Sequence, residues 1–213
     1  DLLYNKTKDV ADGFISNVIC CVGTIILILI VLMELSAGYL TLLFAPGFDT
    51  ATHDLSTNLL RITLLSIFFT VIIDVLVGVL NVHKRFIAPA CSVFFLNLGL
   101  ILTIVFLHSQ YGIIAAAFGY IFGGSLSILY ISLVTSRVYS FSLIFNFKNE
   151  FLRRTVKQAI PVVWSTSIAE VNAVINRVIA SFLFVGSISA LSYANKINSI
   201  FISFFITAVA TIV

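Results

Sequence analysis

The chain has 213 residues, of which 60% are hydrophobic and 10% charged, with a net charge of +3. A soluble domain carries about 25% charged residues, so this composition excludes a soluble globular domain and indicates an integral membrane protein. The small positive excess falls in short connections between apolar runs, which is a topology signal and not a nucleic-acid footprint.

A spanning helix takes about 20 mostly apolar residues. Six stretches qualify: 14–43, 58–81, 89–108, 112–135, 157–184 and 187–213. No alternating polar/apolar segments of the barrel type occur, so the predicted fold class is an all-α polytopic membrane protein. The first stretch is too long for one upright span, because some thirty residues rise about 45 Å. It should tilt or bend, and Ser36-Ala37-Gly38 is the expected bend. Glu34 and Asp74 fall inside the first two spans, Asp74 within reach of Lys84 or Arg85, while Asp54 and Arg61 are expected at a solvated outer rim. In the fourth span Ala115, Gly119, Gly123 and Ser127 recur every four residues. Small residues at that spacing let a second helix approach closely.

The connections set the orientation. Lys6 and Lys8 precede the first span, Lys84 and Arg85 follow the second, and Arg137, Lys148, Arg153, Arg154 and Lys157 lie between the fourth and fifth. The alternate connections, 44–56, 108–112 and 185–189, hold no Lys or Arg. The basic side should be cytoplasmic. Residues 138–156 form the longest connection, and "FNFKNEF" within it is expected to lie on the membrane surface. It separates four spans from two.

Cys20, Cys21 and Cys91 sit in apolar runs and do not form a disulfide framework. His53, His83 and His108 are too scattered for a metal site. There is no nucleophile–base pair and no glycine-rich phosphate loop. No enzyme chemistry, metal or cofactor is indicated. The chain opens on a polar stretch without Met and stops at Val213 inside an apolar run, so a middle piece of a longer transporter-sized protein is expected.

The last two spans carry the unusual residues. At about 100° per residue, Ser192, Asn195, Lys196, Ser199, Ser203 and Thr207 form one polar stripe. In the fifth span Glu170 and Arg177 share a face, and Ser165, Asn172 and Asn176 form a second face beside it. Pro161 and Trp164 are expected near that helix's cytoplasmic start, where Pro is tolerated and Trp anchors. A charge at mid-bilayer costs a few kcal/mol. One account is an internal ion pair of Glu170 with Arg177 or Lys196, with Asn and Ser as interhelical glue. The other is a water-filled cavity. A stripe of about four turns suits the cavity, and one Glu cannot neutralise two cations, which suits an anionic ligand.

Four motifs in register resemble the MurJ-type (MviN) flippases: "FAPGFD" at 44–49, "LVGVLNVHKRFIAPACSVFFLNLGLIL" at 76–102, "RTVKQAIPVVWSTSIAEVNAVINRVIASFL" at 154–183 and "GSISALSYANKI" at 186–197. The family belongs to a superfamily, MOP, shared with drug-exporting MATE proteins and Wzx-type polysaccharide flippases. The resemblance implies a two-lobe fold in which this chain supplies helices three to eight. Residues 1–137 would complete the N-terminal lobe, 138–156 would be a cytoplasmic interlobe linker, and 157–213 would open the C-terminal lobe. It implies a multi-pass protein of the bacterial inner membrane that flips lipid II, the undecaprenyl-pyrophosphate-linked peptidoglycan precursor, by alternating access. Arg177 and Lys196 would then attract the pyrophosphate. Asn172, Asn176, Asn195 and Ser199 would hydrogen-bond the head group, and Glu170 would be the candidate for a coupling monovalent cation. The family often has Asp-Arg in both places where this chain has Asn176-Arg177 and Asn195-Lys196. The cation is kept and the carboxylate is replaced by an amide. The family's N-lobe arginines lie on its first two helices, upstream of residue 1. The alternatives are a related exporter of another polysaccharide lipid or of a drug, and a membrane-embedded transferase acting on polyprenyl lipids. A drug exporter would favour carboxylates in its cavity, and a transferase would need an Asp or His cluster at a membrane face. Membrane lipids are expected partners; nucleic acid is not.

Overall fold

A computed structural model describes residues 8–146, 149–184 and 186–210. Among them there is no strand, and the order is α1 (Lys8–Leu35), α2 (Ala37–Phe44), α3 (Thr50–Val82), α4 (Ile87–Tyr111), α5 (Ile114–Thr135), α6 (Glu150–Ser181) and α7 (Ser187–Ala210). The all-helical prediction holds, and each predicted span has its helix. Four helices are long and apolar enough to cross a membrane: Val10–Leu35, Thr50–Val82, Ile87–Tyr111 and Ile114–Thr135. The remaining two long helices, α6 with 32 residues and α7 with 24, have the length but carry the polar stripes.

The over-long first stretch breaks where expected. α1 ends at Leu35, Ser36 forms a turn, and α2 restarts at Ala37. The Ser36 hydroxyl donates to the Leu32 carbonyl, the kind of side-chain competition that bends helices. Pro46, two residues beyond Phe44, prevents α2 from continuing. Asp49 then caps α3: the Thr52 backbone N–H and hydroxyl both donate to its carboxylate.

The chain forms two compact units, one holding the residues up to Ala37 with Leu55–Pro161, the other Gly38–Asp54 with Val162 onward. In the first unit a core of Ile73, Leu76, Val79 and Leu80 from α3 meets Ala88, Ile131 and Tyr139, with Ile15 and Ile19 of α1 packed against it. In a bilayer such contacts stabilise through close packing, since lipid is as apolar as leucine. The small-residue face of α5 packs on α4 as predicted. A Cβ at Gly123 would run into the Leu96 carbonyl oxygen, and one at Gly119 would stand 2.8 Å from a Leu100 methyl. The buried Ser127 hydroxyl donates to the Ser92 carbonyl at 2.9 Å. α4 contributes its own small residue here, because a Cβ at Gly99 would collide with the Gly123 backbone.

Arg61 is not simply solvated. Its Nε lies 3.6 Å from a Glu34 carboxylate oxygen, both side chains being about half exposed. The geometry gives Glu34 a partner that sequence reading had not assigned. Such an exposed pair contributes about 0–1 kcal/mol. Asp74 is exposed and pairs with neither Lys84 nor Arg85 among the described residues. α3 ends at a left-handed residue, Lys84, with φ 57°. Arg85 N–H returns to the Leu80 carbonyl and Lys84 N–H to the Asn81 carbonyl, at 2.9 and 3.0 Å. This is a Schellman ending built on lysine where glycine is usual.

The connection after α5 differs from expectation. It does not run to residue 156, because α6 starts at Glu150. The cause is Asn149, whose side-chain oxygen accepts the backbone N–H groups of Phe151 and Leu152 at 2.9 and 3.4 Å. The preceding residues are tied to α1. Ser140 N–H donates to Asp12 at 3.1 Å, Ser142 N–H to the Ser16 hydroxyl at 3.1 Å, and Asn146 N–H to the Asn17 side-chain oxygen at 2.7 Å. Asn17 Nδ2 donates back to the Asn146 carbonyl at 3.0 Å, and Ser16 shares a 2.7 Å hydrogen bond with the Tyr139 hydroxyl. Burial pushes the Tyr139 pKa up, keeping that hydroxyl protonated. Phe14 meets Phe151 edge-on at 6.2 Å. Because α6 begins early, Pro161 lies inside it and not in its first turn. It leaves the Lys157 carbonyl without its helical donor, and it is also the last residue of the first unit.

Candidate functional site

The second unit carries the residues singled out from sequence. On α6, Glu170, Asn172, Asn176 and Arg177 are all exposed; on α7, Ser192, Asn195, Lys196 and Ser199 are exposed. Ser203 and Thr207 lie where side chains are outside the described residues. The apolar residues between them, Val171, Ile175, Tyr193 and Ile197, are exposed as well.

The polar groups on that face differ in what they can offer. Ser192 and Ser199 donate their hydroxyls to the Ile188 and Lys196 carbonyls, both at 2.8 Å. Their oxygens remain as acceptors. The side-chain amides of Asn172, Asn176 and Asn195 make no hydrogen bond among the described residues, so both their donors and their acceptors face outward. Arg177 and Lys196 each lack an ion-pair partner among the described residues, and Glu170 pairs with neither. The internal ion-pair account is thus not formed in this structure.

Glu170 lines a cavity of about 420 Å³ with Phe44, Thr166, Ser167, Val171, Val174 and Ile175. Thr166 and Ser167 donate to the Val162 and Val163 carbonyls at 3.0 and 2.7 Å. Their hydroxyl oxygens and the Glu170 carboxylate leave an oxygen-only set, the chemistry that suits a hard cation. No cluster of three or more His, Cys, Asp or Glu exists among the described residues.

The "FAPGFD" segment meets the end of α6. Gly47 N–H donates to the Ser181 hydroxyl at 3.1 Å, and a Cβ at Gly47 would collide with the Ser181 carbonyl. Ser181 is itself buried. The Thr52 hydroxyl donating to Asp49 holds that carboxyl below its ordinary pKa, so the cap stays ionised. Sequence reasoning used this segment only as a marker. Its short Pro-Gly turn was a visible sign of close backbone approach, but nothing in the sequence named Ser181 as the partner. The Asp12–Ser16–Asn17 run on α1 was missed altogether. Polar residues at i, i+4 and i+5 in an apolar helix were its available signal.

A helical chain with four helices long and apolar enough to cross a bilayer has the make-up of a polytopic membrane protein. The family described as "Lipid II flippase MurJ" matches residues 2–213. The chain belongs to that family, and it is part of a multi-pass protein of the bacterial inner membrane. It is 29% identical over 201 residues to the "Probable lipid II flippase MurJ" of Buchnera aphidicola subsp. Acyrthosiphon pisum, covering 91% of this chain and 39% of that protein. The Rickettsia prowazekii protein of the same name is 27% identical, covering 99% of this chain and 43% of its own length. A solved structure described as "Lipid II flippase MurJ, inward closed conformation" superposes with a TM-score of 0.76 at 28% identity, covering 93% of this chain and 42% of that one. The chain spans about two fifths of the length of the curated relatives it matches.

Proposed function

We propose that the protein to which this chain belongs translocates lipid II across the inner membrane by alternating access, without covalent chemistry. In this reading the chain supplies the remainder of one lobe, up to 137, and the start of the other, although Gly38–Asp54 groups with the second compact unit and residues to Pro161 with the first. Arg177 and Lys196 draw the pyrophosphate, the amides of Asn172, Asn176 and Asn195 donate to the head group, and Ser199 accepts from its hydroxyls. Glu170 is the candidate for a coupling monovalent cation. The observation that carries this is Lys196: it stands exposed on α7 between Asn195 and Ser199, with no acid paired to it among the described residues. An unneutralised cation at spanning depth calls for an anion, and a pyrophosphate supplies one where a cationic drug does not.

The test is flipping activity of the complete protein. A charge-assisted hydrogen bond contributes about 1.5–3 kcal/mol, so Lys196→Ala should lower activity roughly ten- to a hundredfold at unchanged protein level, and Lys196→Arg should retain it. Restoration of activity in the double change Lys196→Ala with Glu170→Gln would falsify the cargo-binding role, because it would make Lys196 a neutraliser of Glu170.

A further inference from the structure

A second cavity lies in the first unit, away from the stripes. It has about 410 Å³ and is walled by the start of α1, the end of α3 and the start of α6. Phe14, Val18 and Val82 make its walls apolar, and Gly78 leaves one side open, with nothing within 4 Å of where a Cβ would stand. Arg154 and Gln158 close one end. No acid lines it, and Arg154 makes no ion pair among the described residues.

We propose that this groove is a binding site for an anionic phospholipid of the cytoplasmic leaflet, one acyl chain in the groove and the phosphate on Arg154. Three observations converge on that class. The basic residues Arg137 and Lys148 before α6 and Arg153, Arg154 and Lys157 in its first turns mark this end of α6 as cytoplasmic, and Arg153 and Lys157 flank Arg154 at the interface, where each basic residue attracts anionic lipid. The groove runs from Ala11 to Val18 along α1, about 10 Å of helix, which lies within the ~15 Å depth of one leaflet's hydrocarbon. Its volume decides between tails. If a methylene occupies about the share of one water, ~30 Å³, the groove takes roughly fourteen methylenes, most of one acyl chain but only a small part of a long polyprenyl tail. The site therefore takes a structural lipid and not the tail of the proposed cargo, and it stands whether or not the flipping proposal does.

The test uses the complete protein, purified and delipidated, then titrated with dioleoyl phosphatidylglycerol and read by native mass spectrometry. Dioleoyl phosphatidylcholine and a polyprenyl phosphate are titrated in parallel. Arg154→Gln should weaken phosphatidylglycerol binding about tenfold, and Arg154→Lys should largely restore it. Gly78→Leu, which fills the open side, should also weaken it about tenfold. Arg85→Gln, a cytoplasmic cation outside the groove, should leave it unchanged. Wild-type binding in Arg154→Gln overturns the proposal, as when a protein segment fills the groove. Equal binding of phosphatidylcholine, or displacement of phosphatidylglycerol by polyprenyl phosphate, overturns it too. Arg154 is exposed and its replacement leaves packing intact, so a folding failure at Gly78 leaves the Arg154 arm decisive.

Discussion

Gly47 donates its backbone N–H to the hydroxyl of Ser181, which lies 134 positions later in the chain. The two backbones approach so closely that no side chain fits at Gly47. Gly47→Ala should therefore destabilise by about 1–3 kcal/mol, the usual cost of overpacking. Ser181→Ala removes two hydrogen bonds, the one accepted from Gly47 N–H and the one donated to the Val178 carbonyl, and should cost about 1–2 kcal/mol. Thermal unfolding of the purified protein checks both. An alanine at 47 that costs less than the alanine at 181 would mean that the close approach is not a feature of the stable fold.

The α4–α5 seam gives a sharper steric test. Gly123 faces the Leu96 carbonyl with no room for a methyl group. Gly123→Ala should cost about 1–3 kcal/mol, whereas Leu129→Ala, at 61% exposure on the same helix, should change stability by less than about 0.5 kcal/mol. Equal melting temperatures for the two variants would show that the seam meets lipid.

The grip of α1 on the segment after α5 predicts a local effect. Asn17 both accepts from and donates to the Asn146 backbone. Asn17→Leu should cost about 1–3 kcal/mol and should speed amide exchange across 140–146 more than in α4. Hydrogen-exchange mass spectrometry reads this directly, and uniform acceleration over the whole chain would argue for global loss instead.

Lys84 holds a left-handed conformation that costs an L-residue about 1–2 kcal/mol. Lys84→Gly removes that strain while the Schellman hydrogen bonds remain. Stability should rise by up to about 1 kcal/mol, offset in part by glycine's freedom in the unfolded chain. Arg85 keeps the loop basic, so orientation should be unchanged. A lower melting temperature would show that the lysine side chain makes a compensating contact.

Apolar run length made the long helices readable, four of them apolar enough to cross a membrane, because bilayer thickness sets that length. The break at Ser36 followed from the same length argument, and the α5 stripe from the spacing of Ala115, Gly119, Gly123 and Ser127. What escaped was every relation that closes over a long sequence separation. Asp12, Ser16 and Asn17 look like stray polar residues in an apolar helix until residues 139–146 are seen lying on them. The start of α6 was misjudged because a capping Asn149 inside a polar connection resembles any other loop asparagine. At the candidate site, helical periodicity gave the face but not the partners. Whether Lys196 or Arg177 pairs with Glu170 depends on where the helices place them, which spacing along one helix does not encode.

The caps and clamps around the α5–α6 connection bear on where the first unit ends. Asn146 is fastened to α1 and Asn149 to the first turn of α6. The Asn149 backbone N–H donates to the Asn146 carbonyl at 3.3 Å, so the two anchors stand much closer than the roughly 10 Å that three residue steps span at full stretch. Roughly the first three turns of α6, Glu150–Pro161, thus belong to the first unit, and that share of the helix ends on the residue that cannot donate a helical hydrogen bond.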